Sequence, residues 1–234
     1  MPPYPFPLML FAAGFGTRMG ALTKDRPKPL IPVAGRALID HALDVAIGAG
    51  VGRIVVNTHY RADQIAAHLA GRRVAISHED DRILETGGGL KAALPLLGEG
   101  PVAILNSDGI WAGANPLKTL AAAWDPDRME ALLLLLPLER TRAHGPKGDF
   151  RVDSDGRLSR GMGGEDHVYI GAQIIDPARV RSTTEDVFSL NRTWTQMIAA
   201  GTAFGVLHAG DWCDVGHPEG IAEAERLLHD ARHD

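Results

Sequence analysis

Residues 8–20 read Leu-Met-Leu-Phe-Ala-Ala-Gly-Phe-Gly-Thr-Arg-Met-Gly, a short apolar run that leads directly into a glycine-rich loop. Short apolar runs that end at turn residues are typical of buried strands, so residues 8–13 are predicted to form the first strand of a sheet. The end of such a strand is a common place for a ligand site in α/β proteins. This stretch therefore indicates both a fold class and a place to look for function.

Strand-like and helix-like patterns alternate after this first strand. Apolar runs at residues 54–56, 102–105 and 131–138 predict further buried strands. Between them, apolar residues recur at the spacing of one helix face, most clearly from Leu38 to Ile47. This order predicts an α/β fold: a Rossmann-like, mostly parallel mixed sheet with helices on both faces and a ligand crevice at the carboxyl ends of the strands.

From about residue 141 the pattern changes to shorter strands and turns. Residues 150–158 are predicted to form a hairpin around Asp155-Gly156, which we interpret as a small β lobe facing the substrate. The chain then returns to a strand, a helix, a strand and a closing helix from Pro218 to about His229. Residues 1–234 are therefore predicted to be one domain with two parts, about 1–140 and about 141–234.

Composition argues against several classes of protein. With 45% hydrophobic and 23% charged residues among 234, the chain suits a globular domain, and its formal charge of -5 argues against a broad nucleic-acid-binding surface. No apolar run approaches the roughly 20 residues of a membrane helix, and Met1 to Pro7 lacks the order of a signal peptide. A single cysteine, Cys213, cannot form an internal disulfide, which agrees with a reducing compartment, and we expect a cytoplasmic location. We expect Cys213 itself to pack in the core.

The glycine-rich loop is followed by a concentration of positive charge. Between Arg18 and Lys28 lie four cations and one acid, in a chain that is acidic as a whole. A glycine pair after a strand is by itself most often a tight turn. Here Gly14 and Gly16 permit close backbone approach, so that amide N–H groups can point at phosphate oxygens while Arg18 and Lys28 supply full charges. The combination favours a triphosphate-binding loop.

Two other phosphate-binding motifs fit less well. A dinucleotide site would have an acidic residue at the end of the second strand, where Asn57 and Thr58 stand. A Walker A loop would close with Gly-Lys-Ser or Gly-Lys-Thr, which this sequence lacks. The sequence therefore disfavours NAD-dependent enzymes and P-loop ATPases or GTPases.

Two aspartates are candidate ligands for a magnesium ion. Asp108 follows the predicted strand at residues 102–105, and Asp214 follows Trp212-Cys213. Each alone suits a helix cap or a turn. Beside a phosphate loop, however, both suit Mg²⁺, which takes one or two carboxylates together with phosphate and water. Mg²⁺ is therefore the predicted cofactor. If the nucleophile is itself a phosphate, it is already ionised at neutral pH, so the reaction would need no general base.

With these residues in view, the chain resembles the sugar-phosphate nucleotidyltransferase family over nearly its full length. Residues 12–19 and 26–33 resemble the two halves of the family's signature loop, and residues 85–88 its base-side segment. Residues 106–108 and 214–216 resemble its two metal-binding corners. The resemblance implies that residues 1–140 bind a nucleotide and that residues 141–234 hold the sugar-binding part and the closing helix.

The same resemblance implies a role for individual residues. Arg18 and Lys28 would be catalytic, and Asp108 and Asp214 would bind the metal. The implied nucleotide-binding residues are Ala12, Ala13, Gly14, Gly16, Thr17, Arg18, Lys28, Glu85, Thr86 and Gly87. The implied sugar-phosphate-binding residues are Asn106, Gly148 and Asp149.

Within the family, residues 85–89 and 148–151 most resemble members that transfer a uridylyl group from UTP to N-acetylmuramate 1-phosphate in peptidoglycan recycling. The implied partners are a nucleoside triphosphate and a sugar 1-phosphate, with no nucleic acid and no membrane. An alternative is mannose or glucose 1-phosphate nucleotidyl transfer with GTP, dTTP or UTP. An alternative of another class is a non-catalytic, nucleotide-binding regulatory subunit. A monomer and a homodimer both remain open.

Three features depart from patterns within the family. Ser107 stands where glycine is usual, and His217 stands where threonine is common. Residues 161–167 lack the Glu-Lys-Pro motif of many hexose 1-phosphate enzymes. We expect Ser107 to restrict close approach of a ligand to the main chain, and the missing motif favours an acceptor other than a simple hexose phosphate.

Overall fold

The structure, a computed structural model of the chain, describes residues 4–161 and 166–231. Two segments discussed above lie partly outside the described residues. The segment compared with a signal peptide includes residues 1–3, and the segment that lacks Glu-Lys-Pro includes residues 162–165. The strands are β1 (Leu8–Phe11), β2 (Pro32–Val33), β3 (Arg36–Ala37), β4 (Ile54–Thr58), β5 (Ala75–His78), β6 (Val102–Asn106), β7 (Gly109–Ala112), β8 (Ala131–Pro137), β9 (Thr141–Arg142), β10 (Phe150–Val152), β11 (Leu158–Arg160), β12 (His167–Ile175), β13 (Ala203–Leu207) and β14 (Asp211–Asp214).

The helices fill the intervals between these strands. They are α1 (Leu38–Ala49), α2 (Ala62–Leu69), α3 (Glu85–Leu97), α4 (Pro116–Ala123), α5 (Ala178–Ser182), α6 (Leu190–Ala200) and α7 (Pro218–Asp230). Short 3-10 helices cover Thr17–Thr23, Lys28–Leu30 and Leu138–Arg140. None of the helices in the described ranges has the length and apolar character that crossing a bilayer requires.

The main sheet contains the order β5-β4-β1-β6-β12-β8-β13. Parallel pairing joins β5, β4, β1 and β6, and it also joins β8 to β13. β12 is antiparallel to both of its neighbours, β6 and β8. The predicted mostly parallel mixed sheet is therefore confirmed.

Helices cover both faces of this sheet, as predicted. α1, α2 and α4 pack in one hydrophobic core, while α3, α5 and α6 pack in the other. Leu132 and Leu134 of β8 point into the first core, and Leu133 and Leu135 point into the second, because successive side chains of a strand alternate. Burial on both faces explains the unbroken leucine run, which forms a core strand.

Smaller groups of strands lie beside the main sheet. β10 and β11 form the predicted hairpin, with Val152 opposite Leu158, and β10 extends the sheet next to β12. A separate sheet, β7-β14-β9, packs against α7 and buries Cys213 in a third core. The core role predicted for Cys213 is confirmed, and its burial raises the pKa of the thiol to about 12.

Three differences from the predicted elements concern the site or the core. The apolar pattern predicts a helix from Gly89 to Leu97, but α3 begins at Glu85, so the base-side segment forms the first turn of that helix. Ile47, placed on the buried face of α1, is 68% exposed because the buried face ends at Ala46. β7 and β14 were not predicted, because each has only four residues and β14 has an aspartate at both ends.

Candidate active site

The carboxyl ends of β1 and β6 meet at one edge of the main sheet. Phe11, the last residue of β1, pairs in parallel register with Asn106, the last residue of β6. The Ser107 N–H donates to the Phe11 carbonyl at 3.2 Å. A cavity of about 300 Å³, here called the loop cavity, opens at this edge and is lined by residues of the glycine-rich loop and by Ser107 and Asp108. The predicted crevice therefore lies where parallel strands end.

Gly16 allows the loop to pack tightly against Lys28. Its φ is +65°, and a Cβ added at this position would lie 2.8 Å from the Cβ of Lys28. The Gly16 carbonyl accepts hydrogen bonds from the Met19 N–H at 2.9 Å and from the Thr23 hydroxyl at 3.2 Å. These contacts turn the loop into the short helix that carries Arg18.

The loop presents free backbone donors to this cavity. The N–H groups of Ala13, Gly14 and Gly16 make no hydrogen bond within the described part of the chain, and all three residues line the cavity. Successive unpaired amides of this kind bind anions well. Ala12 differs, because its N–H already donates to the Asn57 side chain at 2.8 Å. Thr17, also predicted to bind the nucleotide, lines the cavity as well.

Lys28 and Asp108 form an ion pair at the wall of the cavity. The Lys28 Nζ donates to the Asp108 Oδ2 at 2.7 Å. Lys28 is only 9% exposed. Lysine is rarely so buried unless it is paired, and Asp108 provides the partner that keeps its charge in place.

Asp214 reaches the same place through the pairing of β7 with β14. Asp214 lies opposite Gly109, and the next N–H, of Val215, donates to the Asp108 carbonyl at 2.9 Å. Burial, followed by the negative charge of Asp108, raises the pKa of the Asp214 carboxyl, whereas Lys28 and Arg18 act in the opposite direction. The two predicted metal ligands are therefore neighbours in space.

Gly216 leaves room for the Arg18 guanidinium beside Asp214. A Cβ added at residue 216 would lie 3.1 Å from both terminal nitrogens of Arg18 and 2.7 Å from the Asp214 Oδ2. The Arg18 Nη1 also lies 3.3 Å from the Nε2 of His217. The structure thus brings together Arg18, Lys28, Asp108 and Asp214 from three distant parts of the chain.

The two aspartates suit a magnesium ion. The described residues contain no group of three or more His, Cys, Asp or Glu side chains placed to hold a metal. Mg²⁺ does not need one, because it binds through one or two carboxylates and completes its shell with phosphate and water. Burial and the neighbouring charge of Asp108 both raise the pKa of Asp214, and a bound cation would favour the ionised carboxylate.

The first turn of α3 forms the base-side wall. Glu85 and Thr86 line the loop cavity, and Glu85 has a φ of +60°, uncommon for a residue other than glycine. Gly87 does not line it, because a Cβ there would lie 2.4 Å from the Phe188 ring. Of the three residues predicted on this side, the structure places two in the cavity wall and one in helix packing.

Asn57 and Glu79 connect the glycine-rich loop with the base-side wall, and neither was predicted as a site residue. Asn57 Nδ2 donates to the Glu79 Oε1 at 2.7 Å, and the Leu84 N–H donates to the Glu79 Oε2 at 2.7 Å. Both residues are almost fully buried and line the loop cavity. A signal was available, because Asn57 near the end of β4 and Glu79 after β5 lie at the same sheet edge as Asp108.

A second cavity, of about 280 Å³, adjoins the first. We call it the acceptor cavity; it shares Phe11, Thr86 and Asn106 with the loop cavity. Asp149 lines it and accepts a hydrogen bond from the Tyr169 N–H at 2.9 Å. Gly148 does not line it, because a Cβ there would lie 2.4 Å from the Cβ of Asp166.

The acceptor cavity also has walls that were not predicted. They come from β11, β12 and α6 and include Arg160, Tyr169, Asn191 and Trp194. Isolated residues of this kind, on a short strand and on two long elements, carry no spacing that marks them in the sequence. Their common function as a wall follows from the packing of α6 against the sheet.

The two departures from the family pattern have simple structural contexts. Ser107 is buried in the wall of the loop cavity, and its φ lies outside the left-handed region, so the backbone does not require glycine there. His217 precedes α7 at its N-cap and faces Arg18. Neither side chain disturbs the Lys28–Asp108 pair.

Comparison with known proteins agrees with this geometry. The profile of the family described as "MobA-like NTP transferase domain" matches residues 8–143, from β1 to just beyond β9. The chain belongs to this family. The matched range includes the glycine-rich loop, Lys28, the base-side wall and Asp108, and this NTP transferase chain continues beyond it through the hairpin, β12 and α7.

Relatives of known function cover nearly the whole NTP transferase chain. N-acetylmuramate alpha-1-phosphate uridylyltransferase of Caulobacter vibrioides is 44% identical, over 95% of this chain and 97% of the relative. The protein of the same name from Neisseria meningitidis serogroup B is 32% identical, over 94% and 96%. This chain is therefore an enzyme, a nucleotidyltransferase of the sugar-phosphate type.

A solved structure shows the same fold at low identity. HddC from Yersinia pseudotuberculosis, complexed with GMP-PN, superposes with a TM-score of 0.77, at 19% identity, over 95% of this chain and 99% of that one. The α/β architecture predicted for this NTP transferase is thus shared with a solved protein over nearly its whole length.

Proposed function

We propose that this nucleotidyltransferase joins UTP to N-acetylmuramate 1-phosphate and releases UDP-N-acetylmuramate and pyrophosphate. The observation that carries the proposal is the meeting of two cavities at Asn106, close to the Lys28–Asp108 pair. One cavity has the free amides and cations that a triphosphate needs, and the other has space for a sugar. The names of the two uridylyltransferase relatives support this choice of base and acceptor.

The proposal divides the chain between its two substrates. Residues 1–140 supply most of the loop cavity for the nucleotide, with Ala13, Gly14, Gly16 and Thr17 at the phosphates. Residues 141–234 supply much of the acceptor cavity and the closing helix. Because β8, β12 and β13 continue the sheet that β1 and β6 belong to, the two parts are proposed to act as one domain.

The chemistry is a single in-line displacement. An oxygen of the acceptor phosphate forms a bond to the α-phosphorus of the triphosphate while the bond to the β-phosphate breaks, and pyrophosphate leaves. Lys28 and Arg18 are proposed to balance the negative charge that gathers in the transition state, and positioned cations of this kind make large contributions to catalysis. The acceptor phosphate is already ionised, so holding it in line replaces the need for a base.

Asp108 and Asp214 are proposed to hold Mg²⁺. When bound, the ion would screen the repulsion between two phosphorylated substrates and polarise the phosphate that is attacked. The residues of the chain keep the two carboxylates adjacent through the backbone hydrogen bond between Val215 and Asp108.

Pyrophosphate release from mixed substrates tests the proposal. We expect purified full-length chain with Mg²⁺ to release pyrophosphate fastest from UTP and N-acetylmuramate 1-phosphate. The comparison reactions use GTP, dTTP or UTP with mannose or glucose 1-phosphate. Faster turnover of one of those pairs would replace the proposed substrates, and no magnesium-dependent release from any pair would overturn nucleotidyl transfer itself. A cytoplasmic role in peptidoglycan recycling belongs to the same proposal and depends on the acceptor.

A further inference from the structure

The acceptor cavity has one feature that nucleotidyl transfer by itself does not require. Among the residues that line it in the described ranges, Arg160 is the single cation and Asp149 the single acid. The phosphate end of an acceptor is expected at the Lys28 side, near Asn106. Arg160 lines the acceptor cavity but not the loop cavity, so its charge faces a different part of the acceptor.

Arg160 is held rigidly by neutral groups. Its Nη1 donates to the Asn191 Oδ1 at 3.0 Å, and its Nη2 donates to the Asn191 carbonyl and the Thr195 hydroxyl, both at 2.9 Å. The guanidinium carbon also lies 5.1 Å from the centre of the Phe150 ring. Strand β11 is thereby tied to helix α6, and contacts within the chain hold the guanidinium in place.

Arg160 has no ion-pair partner among the described residues. No described carboxylate is paired with it in an ion pair, and partial burial lowers the pKa of its guanidinium, an effect that the nearby Asp149 opposes. Asp149 directs one carboxylate oxygen to the Tyr169 N–H instead. The Nε–H and one Nη1–H of Arg160 make no hydrogen bond with the described residues. A fixed cation with spare donors suits an anionic ligand group.

N-acetylmuramate carries such a group. It differs from N-acetylglucosamine by a lactyl ether on O3, whose carboxylate is ionised at neutral pH and is separate from the 1-phosphate. Placing this carboxylate in a partly enclosed cavity is costly unless a cation or several donors receive it. Neutral hexose and N-acetylhexosamine phosphates have no group of this kind.

We propose that Arg160 selects acceptors that carry a carboxylate, by receiving the lactyl carboxylate of N-acetylmuramate 1-phosphate in the acceptor cavity. The assignment rests on the proposed function for the identity of the acceptor. It adds a specificity-determining residue in the second part of the chain, on a wall of the acceptor cavity that does not line the loop cavity. Asn191 and Thr195 act through Arg160 as positioning residues.

Two acceptors that differ only in the lactyl group test this role. Pyrophosphate release is measured with UTP and either N-acetylmuramate 1-phosphate or N-acetylglucosamine 1-phosphate, for the wild-type chain and for Arg160→Gln. We expect kcat/KM for the muramate acceptor to fall about tenfold or more, mainly through KM, and that for the glucosamine acceptor to change by less than about twofold. Arg160→Lys should recover part of the selectivity.

A matched control lies on the same helix that anchors Arg160. Arg192 of α6 pairs with Glu185 at 2.7 Å and does not line the acceptor cavity, so Arg192→Gln should leave both acceptors unchanged. If Arg160→Gln does not fold, Asn191→Ala removes one of the anchoring contacts, the hydrogen bond from the Arg160 Nη1 to the Asn191 Oδ1, and should reduce the same selectivity.

The outcomes separate this inference from the proposed function. An equal loss with both acceptors would show a structural role and overturn the inference, as would an unchanged muramate acceptor. A wild-type enzyme that prefers the glucosamine acceptor would overturn the inference and the proposed acceptor, while leaving nucleotidyl transfer intact. No turnover of any sugar phosphate would overturn the proposed function itself.

Discussion

The Nζ of Lys28 lies 2.7 Å from the Oδ2 of Asp108, across 80 residues of sequence. This contact joins the segment that follows the glycine-rich loop to the end of β6. Asp214 stands beside it through β14, so one cation and two carboxylates share a small volume. The arrangement predicts that each of these side chains affects catalysis in its own way.

Replacing Lys28 with alanine should reduce kcat by about 10²-fold or more, because one fixed positive charge at the transferred phosphate is lost. Steady-state pyrophosphate release measures the effect. Lys118→Ala, an exposed lysine of α4, is the control and should retain wild-type rates. A Lys28→Ala enzyme within a few fold of the wild type would contradict a catalytic role for this lysine.

Replacing Asp214 with asparagine should raise the stability of the metal-free protein and lower its catalytic activity. The pKa of Asp214 is raised in the folded protein by burial and by Asp108, so the folded state binds this proton more tightly than the unfolded state. Stability therefore falls as pH rises through the raised pKa, and the ionised form is unfavourable at pH 7. We expect Asp214→Asn to raise the Tm of the metal-free protein at pH 7 and to lower magnesium-dependent kcat about 10²-fold or more.

Thermal unfolding without magnesium and activity against magnesium concentration measure the two effects of Asp214→Asn. Asp127→Asn, an exposed aspartate outside both cavities, controls for the loss of one negative charge. A lower Tm would show that the carboxylate stabilises the site rather than straining it.

Replacing Tyr60 with phenylalanine should loosen the nucleotide loop. The Tyr60 hydroxyl donates to the Thr23 carbonyl at 2.9 Å and lies 3.3 Å from the Lys24 carbonyl, and the Tyr60 ring lies 5.9 Å from that of Phe15. Loss of one such hydrogen bond costs about 1 kcal/mol, which corresponds to about a fivefold higher KM for the triphosphate with little change in kcat.

Initial rates at varied UTP measure the effect of Tyr60→Phe. Tyr4→Phe is the matched control, because the Tyr4 hydroxyl has no hydrogen-bond partner among the described residues and lies outside both cavities. Equal KM values for the two variants would refute the anchoring role of Tyr60.

Replacing Glu130 with glutamine should weaken the fold but not catalysis. Burial raises the pKa of Glu130, but hydrogen bonds from Arg179, at 2.8 Å, and from Thr202 outweigh it, so the pKa is lowered overall. A lowered folded pKa stabilises the protein above the ordinary glutamate pKa, and this contribution disappears as pH falls through the folded value. Since the side chains of Glu130 and Arg179 are partly exposed, at 28% and 33%, the loss of folding free energy in Glu130→Gln is about 1 kcal/mol or less.

Chemical unfolding at pH 7 and in mild acid tests the Glu130 prediction. The difference between wild type and Glu130→Gln should shrink as the pH falls below the ordinary glutamate pKa. Pyrophosphate release at saturating substrate should not change, because Glu130 lies just before β8, at the sheet edge opposite both cavities. A stability difference that is constant over this pH range would contradict the role of its charge.

The sequence by itself determined the class of fold and one half of the site. Strands β1, β6 and β8 carry apolar runs because both of their faces are buried, and burial on both faces is visible as composition. The glycine-rich loop, Arg18 and Lys28 lie within 17 positions of one another, from residue 12 to residue 28, so their combination is local. The backbone freedom of glycine and the positive charge of arginine and lysine are properties of the individual residues. They can therefore be recognised in the sequence without knowledge of the fold.

Tertiary structure decided which distant residues meet. Asn57 and Glu79 became part of the site because β4 and β5 end at the same sheet edge as β6. Gly87 and Gly148 do not line the cavities, because other residues of the chain pack directly against them. Arg160 faces the acceptor cavity because α6 packs against the hairpin and holds its guanidinium. Contacts between residues far apart in sequence depend on strand order, register and packing, and no local pattern encodes these.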